Sequence, residues 1–135
     1  MEDLKKFFER DKFAALCGIE LLEVSEGYAK ASMKITENHY NGVRTVQGGA
    51  IFTLADLTFA AASNSHGTVA VAINVNISFT KAALEGTLYA EAKETTRNPK
   101  ISTYTITVTD DSGDIISIFE GMAYRKKQKL EEFAD

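Results

Sequence analysis

The sequence predicts an α+β fold: a curved antiparallel sheet wrapped around one long central helix, with a further helix at the N-terminus. Three observations carry that prediction. The run Gly48 to Ala62 is apolar nearly all round, the pattern of a helix buried on most sides, and its alanines allow a sheet to pack closely around it. Val71, Ile73, Val75, Ile77 and Phe79 alternate with Ala72, Asn74, Asn76, Ser78 and Thr80, which is the period of a strand. Several strand-like runs then follow one another with turn residues between them, without the strand and helix alternation of a parallel sheet.

Taken in order, Leu4, Phe7, Phe8, Phe13, Leu16 and Cys17 recur at three- and four-residue steps among Lys, Glu and Asp, which predicts one amphipathic surface helix ended by Gly18. From Ile19 to Ile35 two strands meet at Glu26-Gly27, and the second shows one polar and one apolar face. Thr36 to Gln47 lacks periodicity and reads as a loop into the long helix. After the strand around Val75, the runs Leu88 to Thr95, Ile101 to Thr109 and Ile115 to Tyr124 are separated by Asn98-Pro99-Lys100 and Asp110-Asp111-Ser112-Gly113. Both separators are good turn chemistry, so these runs read as hairpins.

A chain of 135 residues with 44% apolar composition suits one domain, residues 1–135, with a core of its own. The single cysteine, Cys17, cannot form an internal disulfide, and no Cys/His cluster is present to hold a metal. A net charge of −4 excludes a binder of the nucleic-acid backbone, because the one basic cluster, Arg125-Lys126-Lys127 with Lys129, is followed at once by Glu131 and Glu132. The first residues carry acids and lack a signal peptide's basic start and apolar run, which predicts a cytoplasmic protein. The apolar run Ala50 to Ala62 contains Thr53, Asp56 and Thr58 and falls short of the ~20 residues needed to span a bilayer.

Asp56 is the chemical anomaly, a carboxylate among Leu54, Ala55, Leu57 and Phe59. Burial without partners raises its pKa, so it is either a base or a member of a structural polar stripe with Thr53, Asn64 or a neighbouring strand. Gly48 and Gly49 open the same helix, where free N–H groups and the positive end of the dipole attract negative charge, and glycine lets an oxygen approach closely. That end can be an oxyanion hole or only a tight turn. Eight residues of helix separate Gly48 from Asp56 by roughly 12 Å, too far for both to act on one carbonyl of the same chain. A two-fold dimer that sets the helix start of one subunit near the carboxylate of the other resolves this. No serine lies in a Gly-x-Ser-x-Gly elbow, and His39 and His66 read as solvated turn residues.

The set Asn41-Gly42, Gly48-Gly49, Ile51-Phe52-Thr53-Leu54-Ala55-Asp56, Phe59-Ala60, Asn64-Ser65 and Asn76-Ile77-Ser78-Phe79 resembles the PaaI-type group of hot-dog fold acyl-CoA thioesterases over most of the chain. The resemblance implies homodimers, often paired as dimers of dimers into homotetramers, with sites between subunits. It implies Asp56 as general base or nucleophile, the Gly48 amide as the group that polarises the thioester carbonyl, and Asn41 as a positioning group. Gln47 stands where most members carry histidine; its amide can donate a hydrogen bond but cannot change charge near neutral pH. Lys81 stands where the family's turn has proline. Gly49, Asn64 and Lys81 are the candidate substrate-binding residues, Lys81 through a CoA phosphate. The expected activity is hydrolysis of an acyl-CoA, aromatic such as phenylacetyl or short to medium aliphatic, without metal or cofactor, CoA being part of the substrate. The alternative is a hot-dog domain that binds acyl-CoA without turning it over.

Overall fold

The computed structural model describes residues 2–133; the first residue and the last two of the predicted domain lie outside them. Two short helices, α1 (Glu2–Phe8) and α2 (Lys12–Leu16), precede the hairpin β1 (Ile19–Ser25) and β2 (Tyr28–Lys34). A 3-10 turn over Glu37–His39 and a loop lead to the long helix α3 (Gly48–Ser63). Then come β3 (Thr68–Phe79), β4 (Thr87–Arg97), β5 (Ile101–Thr109) and β6 (Ile115–Lys129). All six strands form one sheet in the order β1-β2-β4-β5-β6-β3, and every neighbouring pair is antiparallel.

Small residues let the helix sit close to the sheet. In the middle of the sheet Ala29 pairs with Ala92 and Ala31 with Ala90, and all four side chains are fully buried under α3. Bulk fills the flanks: Leu54, Phe59, Tyr104, Ile106, Ile116 and Phe119 are almost completely excluded from solvent. Burying side chains of this size contributes roughly 1.5–3 kcal/mol each before entropy is counted. Phe59 packs edge-on to Tyr104 with ring centroids 5.7 Å apart. Beneath it Gly121 of β6 leaves the space its ring needs, since a Cβ there would lie 2.7 Å from Phe59 Cε1.

The N-terminal region differs from the single predicted helix. Asp11 takes an extended conformation, and its side chain accepts the Ala14 N–H at 3.0 Å, so it ends one helix and caps the next. Among the described residues no helix is long and apolar enough to cross a membrane.

One edge of the sheet is open. The β1 edge is packed by α1 and α2, whereas β3 offers a twelve-residue strand without a charged side chain. On it Val71, Ile73, Val75 and Phe79 are 37%, 52%, 37% and 52% exposed. Long apolar edges template pairing with another strand, and soluble proteins normally blunt them with charge, proline or bulges; β3 has register shifts at Thr68/Ala70 and Ala72/Asn74 but neither charge nor proline.

Candidate active site

Helix α3 positions the chemistry. Its buried residues, among them Ile51, Leu54, Ala55, Thr58, Phe59 and Ala62, face the sheet and fix its rotation. The remaining stripe, Gly49, Thr53, Asp56 and Ala60, is exposed or half-buried. Asp56 therefore lies on the one open face of a helix that is otherwise core, and is less buried than the apolar run implies. Among the described residues it has no hydrogen-bond or ion-pair partner. Burial first, and the negative charge of Asp11 second, hold its carboxyl above the usual carboxylate range. Thr53, one candidate neighbour for a structural stripe, instead donates to Gly49 O of its own helix at 2.8 Å.

The start of the helix is uncapped by any side chain. Ala50 and Ile51 donate to Gln47 O at 3.0 and 3.3 Å, which leaves the Gly48 and Gly49 N–H groups without an acceptor among the described residues. Two unpaired donors at the positive end of a sixteen-residue helix are suited to an oxygen that gains negative charge. The tip of Phe79 rests on Gly48: a Cβ on that residue would lie 3.1 Å from Phe79 Cζ. The exposed Gln47 side chain folds back over Gly49, with Oε1 2.7 Å from where a Cβ would stand. Its carboxamide thus lies beside the helix start.

Asn41 shapes the loop before the helix. Its Oδ1 accepts from Val43 N and Thr45 N at 3.0 and 3.1 Å, and its Nδ2 donates to Thr45 Oγ1 at 2.9 Å. The backbone closes the same loop, with Asn41 N donating to Thr45 O and Arg44 N to Asn41 O. Arg44 takes a positive φ of 64° at its tip. Asn64 does not meet Asp56: it is buried at the other end of α3, where Nδ2 donates to Ala60 O and Ala70 O and Oδ1 accepts from Ala70 N. Lys81 donates to Asp110 and Asp114 at 2.9 and 2.7 Å, so two carboxylates surround the one cation.

Both histidines are shielded rather than solvated. His39 is 7% exposed; Nδ1 accepts from Thr36 N at 2.9 Å, and Nε2 donates to Cys17 O at 2.7 Å, which fixes one neutral tautomer. It ties α2 to the loop that carries Asn41, and its own carbonyl accepts from Gln47 N at 2.8 Å. His66 bonds Glu94 Oε1 at 3.2 Å, and the same oxygen accepts from Tyr104. The polar loop composition gave no sign of these partners, which lie 22 and 28 residues away in sequence. Asp11 and Phe79, which meet Asp56 electrostatically and Gly48 sterically, were likewise not distinguishable as site residues by pattern.

A concavity of about 710 Å³ lies at the far end of α3, lined by Leu4, Phe7, Asn64, His66 and Leu130 among others. It includes neither Asp56 nor Gly48. A site completed by a second chain need not form a closed pocket in one chain alone, so the chemistry of the side chains outweighs the size of this hollow.

Comparison with known proteins agrees with this architecture. The family model of the Thioesterase superfamily matches residues 44–117, which include α3 and Asp56. A protein of Archaeoglobus fulgidus described as a candidate esterase is 44% identical over 119 residues, covering 87% of this chain and 77% of its own length. The acyl-coenzyme A thioesterase PaaI of Escherichia coli is 33% identical over 119 residues, covering 87% of this chain and 85% of its own. The solved structure of the Escherichia coli PaaI protein superimposes with a TM-score of 0.88 at 31% identity, over 92% of this chain and 91% of that one. With the family model spanning more than half of the chain and PaaI matching it in both sequence and architecture, this chain belongs to the thioesterase superfamily, as a hot-dog fold enzyme of the PaaI type.

Proposed function

We propose that the protein hydrolyses an acyl-CoA thioester to a carboxylic acid and free CoA, with the reacting carbonyl held between two subunits. The observation that carries the proposal is the pairing, on one helix, of an unpartnered carboxylate with raised proton affinity and two unpartnered N–H groups roughly 12 Å away. One chain cannot bring both to a single carbon; two chains can. A two-fold axis beside the open β3 edge pairs that strand with its copy and runs the two α3 helices antiparallel. The start of one helix then approaches the middle of the other.

In this arrangement the Gly48 N–H, with the Gly49 N–H and the Gln47 carboxamide beside it, receives the thioester oxygen. Fixed donors stabilise the developing oxyanion without reorganising. The partner subunit's Asp56 attacks the carbonyl carbon as nucleophile, expelling the CoA thiolate and leaving an acyl anhydride that water then hydrolyses, or as general base takes a proton from the water that attacks the carbon and passes it to the departing thiolate. A carboxylate whose proton affinity is raised is the stronger base of the two states burial could give it. Asn41 acts by holding the loop shape that leads into Gln47 and Gly48.

Asn64 and Lys81 take framework roles in this reading. Every polar atom of the Asn64 side chain is occupied in joining α3 to β3, and Lys81 sits in a locally acidic setting that repels a phosphate. The acyl group is aromatic, such as phenylacetyl, which is supported by the likeness to PaaI, or a short to medium aliphatic chain. The protein is a cytoplasmic homodimer or homotetramer.

The test is hydrolysis across a panel of acyl-CoAs by the native protein and by Asp56→Asn. A loss of roughly 10²–10⁴-fold in kcat with folding intact is the expected result. Undiminished turnover in Asp56→Asn would remove the carboxylate from the mechanism.

A further inference from the structure

We propose that Phe79 determines acyl specificity: its ring, seated on the α-carbon of Gly48, is the surface past which the acyl group runs when its carbonyl reaches the start of α3. The proposal rests on the reading of Gly48 as the oxyanion donor.

The ring is fixed from behind. Phe79 is the last residue of β3, and the next two N–H groups, of Thr80 and Lys81, both donate to Ile116 O at 2.8 and 3.3 Å, so the strand end is anchored to β6. From that anchor the ring reaches Gly48 tip first, with Cζ, Cε1 and Cε2 at 3.1, 3.4 and 3.7 Å from where a Cβ would stand. The absence of a side chain at Gly48 thus does two things: it lets the ring approach the helix start, and it leaves the N–H reachable. Phe79 is 52% exposed in the single chain, and as the last residue of β3 it lies at the end of the edge that the proposed dimer covers, beside the helix start where the two-chain site is built.

A carbonyl oxygen that accepts from Gly48 N–H at about 2.9 Å places its carbon within about 4 Å of that nitrogen. A substituent on that carbon that runs towards the α-carbon side meets the ring. The thiol arm of CoA carries amides that need water or polar partners, whereas the acyl chain is apolar, so the acyl group is the one that gains by lying on the ring. A straight chain slides along the ring. A branch at the carbon next to the carbonyl meets its tip.

The experiment compares butyryl-CoA with isobutyryl-CoA, isomers of equal carbon number that differ only in that branch. In Phe79→Leu the ratio of kcat/KM for isobutyryl over butyryl rises roughly tenfold, the scale of discrimination by one methyl group in an apolar pocket. In Phe79→Tyr, whose added hydroxyl projects from Cζ towards Gly48, the ratio falls below that of the native protein. Should Phe79→Leu fail to fold, Phe79→Met keeps more of the volume and answers the same question. A ring with only a structural role lowers both substrates alike, and an unchanged ratio in folded variants overturns the proposal. If the native protein hydrolyses neither of these two thioesters, the catalytic reading fails separately only when the rest of the acyl-CoA panel is not turned over either. The ratio is then read from calorimetric affinities of the two thioesters, and a ratio equal in native and Leu proteins again overturns the role of Phe79.

Discussion

Asp56 couples activity to stability through one proton. Its carboxyl is held above the ordinary range, chiefly by burial and then by Asp11, so the folded chain binds that proton more tightly than the unfolded chain does. The associated stabilisation is fully present below the unfolded pKa and is lost as pH rises through the folded one. At neutral pH the ionised side chain is therefore a net cost to folding. Asp56→Asn should raise the thermal midpoint at pH 7 while lowering turnover by roughly 10²–10⁴-fold, and the gain should shrink in acid, as scanning calorimetry across pH would show. For the same reason the acidic limb of kcat/KM should sit above the usual carboxylate range. Asp11→Asn, which keeps a good helix cap but removes the charge, should move that limb to lower pH; a limb that stays put would show that Asp11 does not tune the base. Asp56 was legible in the sequence because a lone acid in an apolar run is conspicuous. Asp11 was not, since its local pattern says only that it can cap a helix. The shielding of His39 and His66 was equally hidden, because each partner comes from a distant element.

At the scale of elements, the two ends of α3 divide the work. The start is left uncapped and reactive, while the other end is clamped by Asn64 to both ends of its own amide. Asn64→Ala removes that clamp and leaves the buried Ala70 N–H without its acceptor, which should destabilise by about 2–3 kcal/mol in denaturant titration. Gly121→Ala tests the packing between β6 and the helix. With Phe59 Cε1 at 2.7 Å the new methyl group forces the ring or strand to shift, and a loss of roughly 1–3 kcal/mol is expected. The long helix and the alternating strands were readable because each buries one consistent face. The break between α1 and α2 left a small trace that the reading as one helix passed over: the three- and four-residue steps of Leu4, Phe7 and Phe8 and of Phe13, Leu16 and Cys17 are parted by a five-residue step that spans Asp11. The irregularity of β3 between Ala72 and Asn74 was invisible, since a bulge depends on the partner strand.

For the whole molecule, the separation of Gly48 and Asp56 along one helix, legible in the sequence, is the reason the proposed site is built from two chains. Which edge would join the chains was not readable, because the periodic apolar residues of β3 look the same whether a partner covers them or a neighbouring strand does. If the proposed dimer forms along β3, Ile73→Lys, which places a charge in the middle of that edge, should give monomers in sedimentation, with loss of thioester hydrolysis even though Asp56 and Gly48 are untouched. Retained activity in a monomer would place the whole site in one chain.

The uncharged edge of β3 has a consequence for how the chain lives in solution. Along its twelve residues the backbone groups that face away from β6 have no strand to meet, so in the proposed dimer a lone subunit is an incomplete object, held at risk of indiscriminate pairing until its copy arrives. Its robustness then belongs to the population rather than to the molecule. Dilution should lower the unfolding midpoint and crowding by its own kind should raise it, by simple mass action.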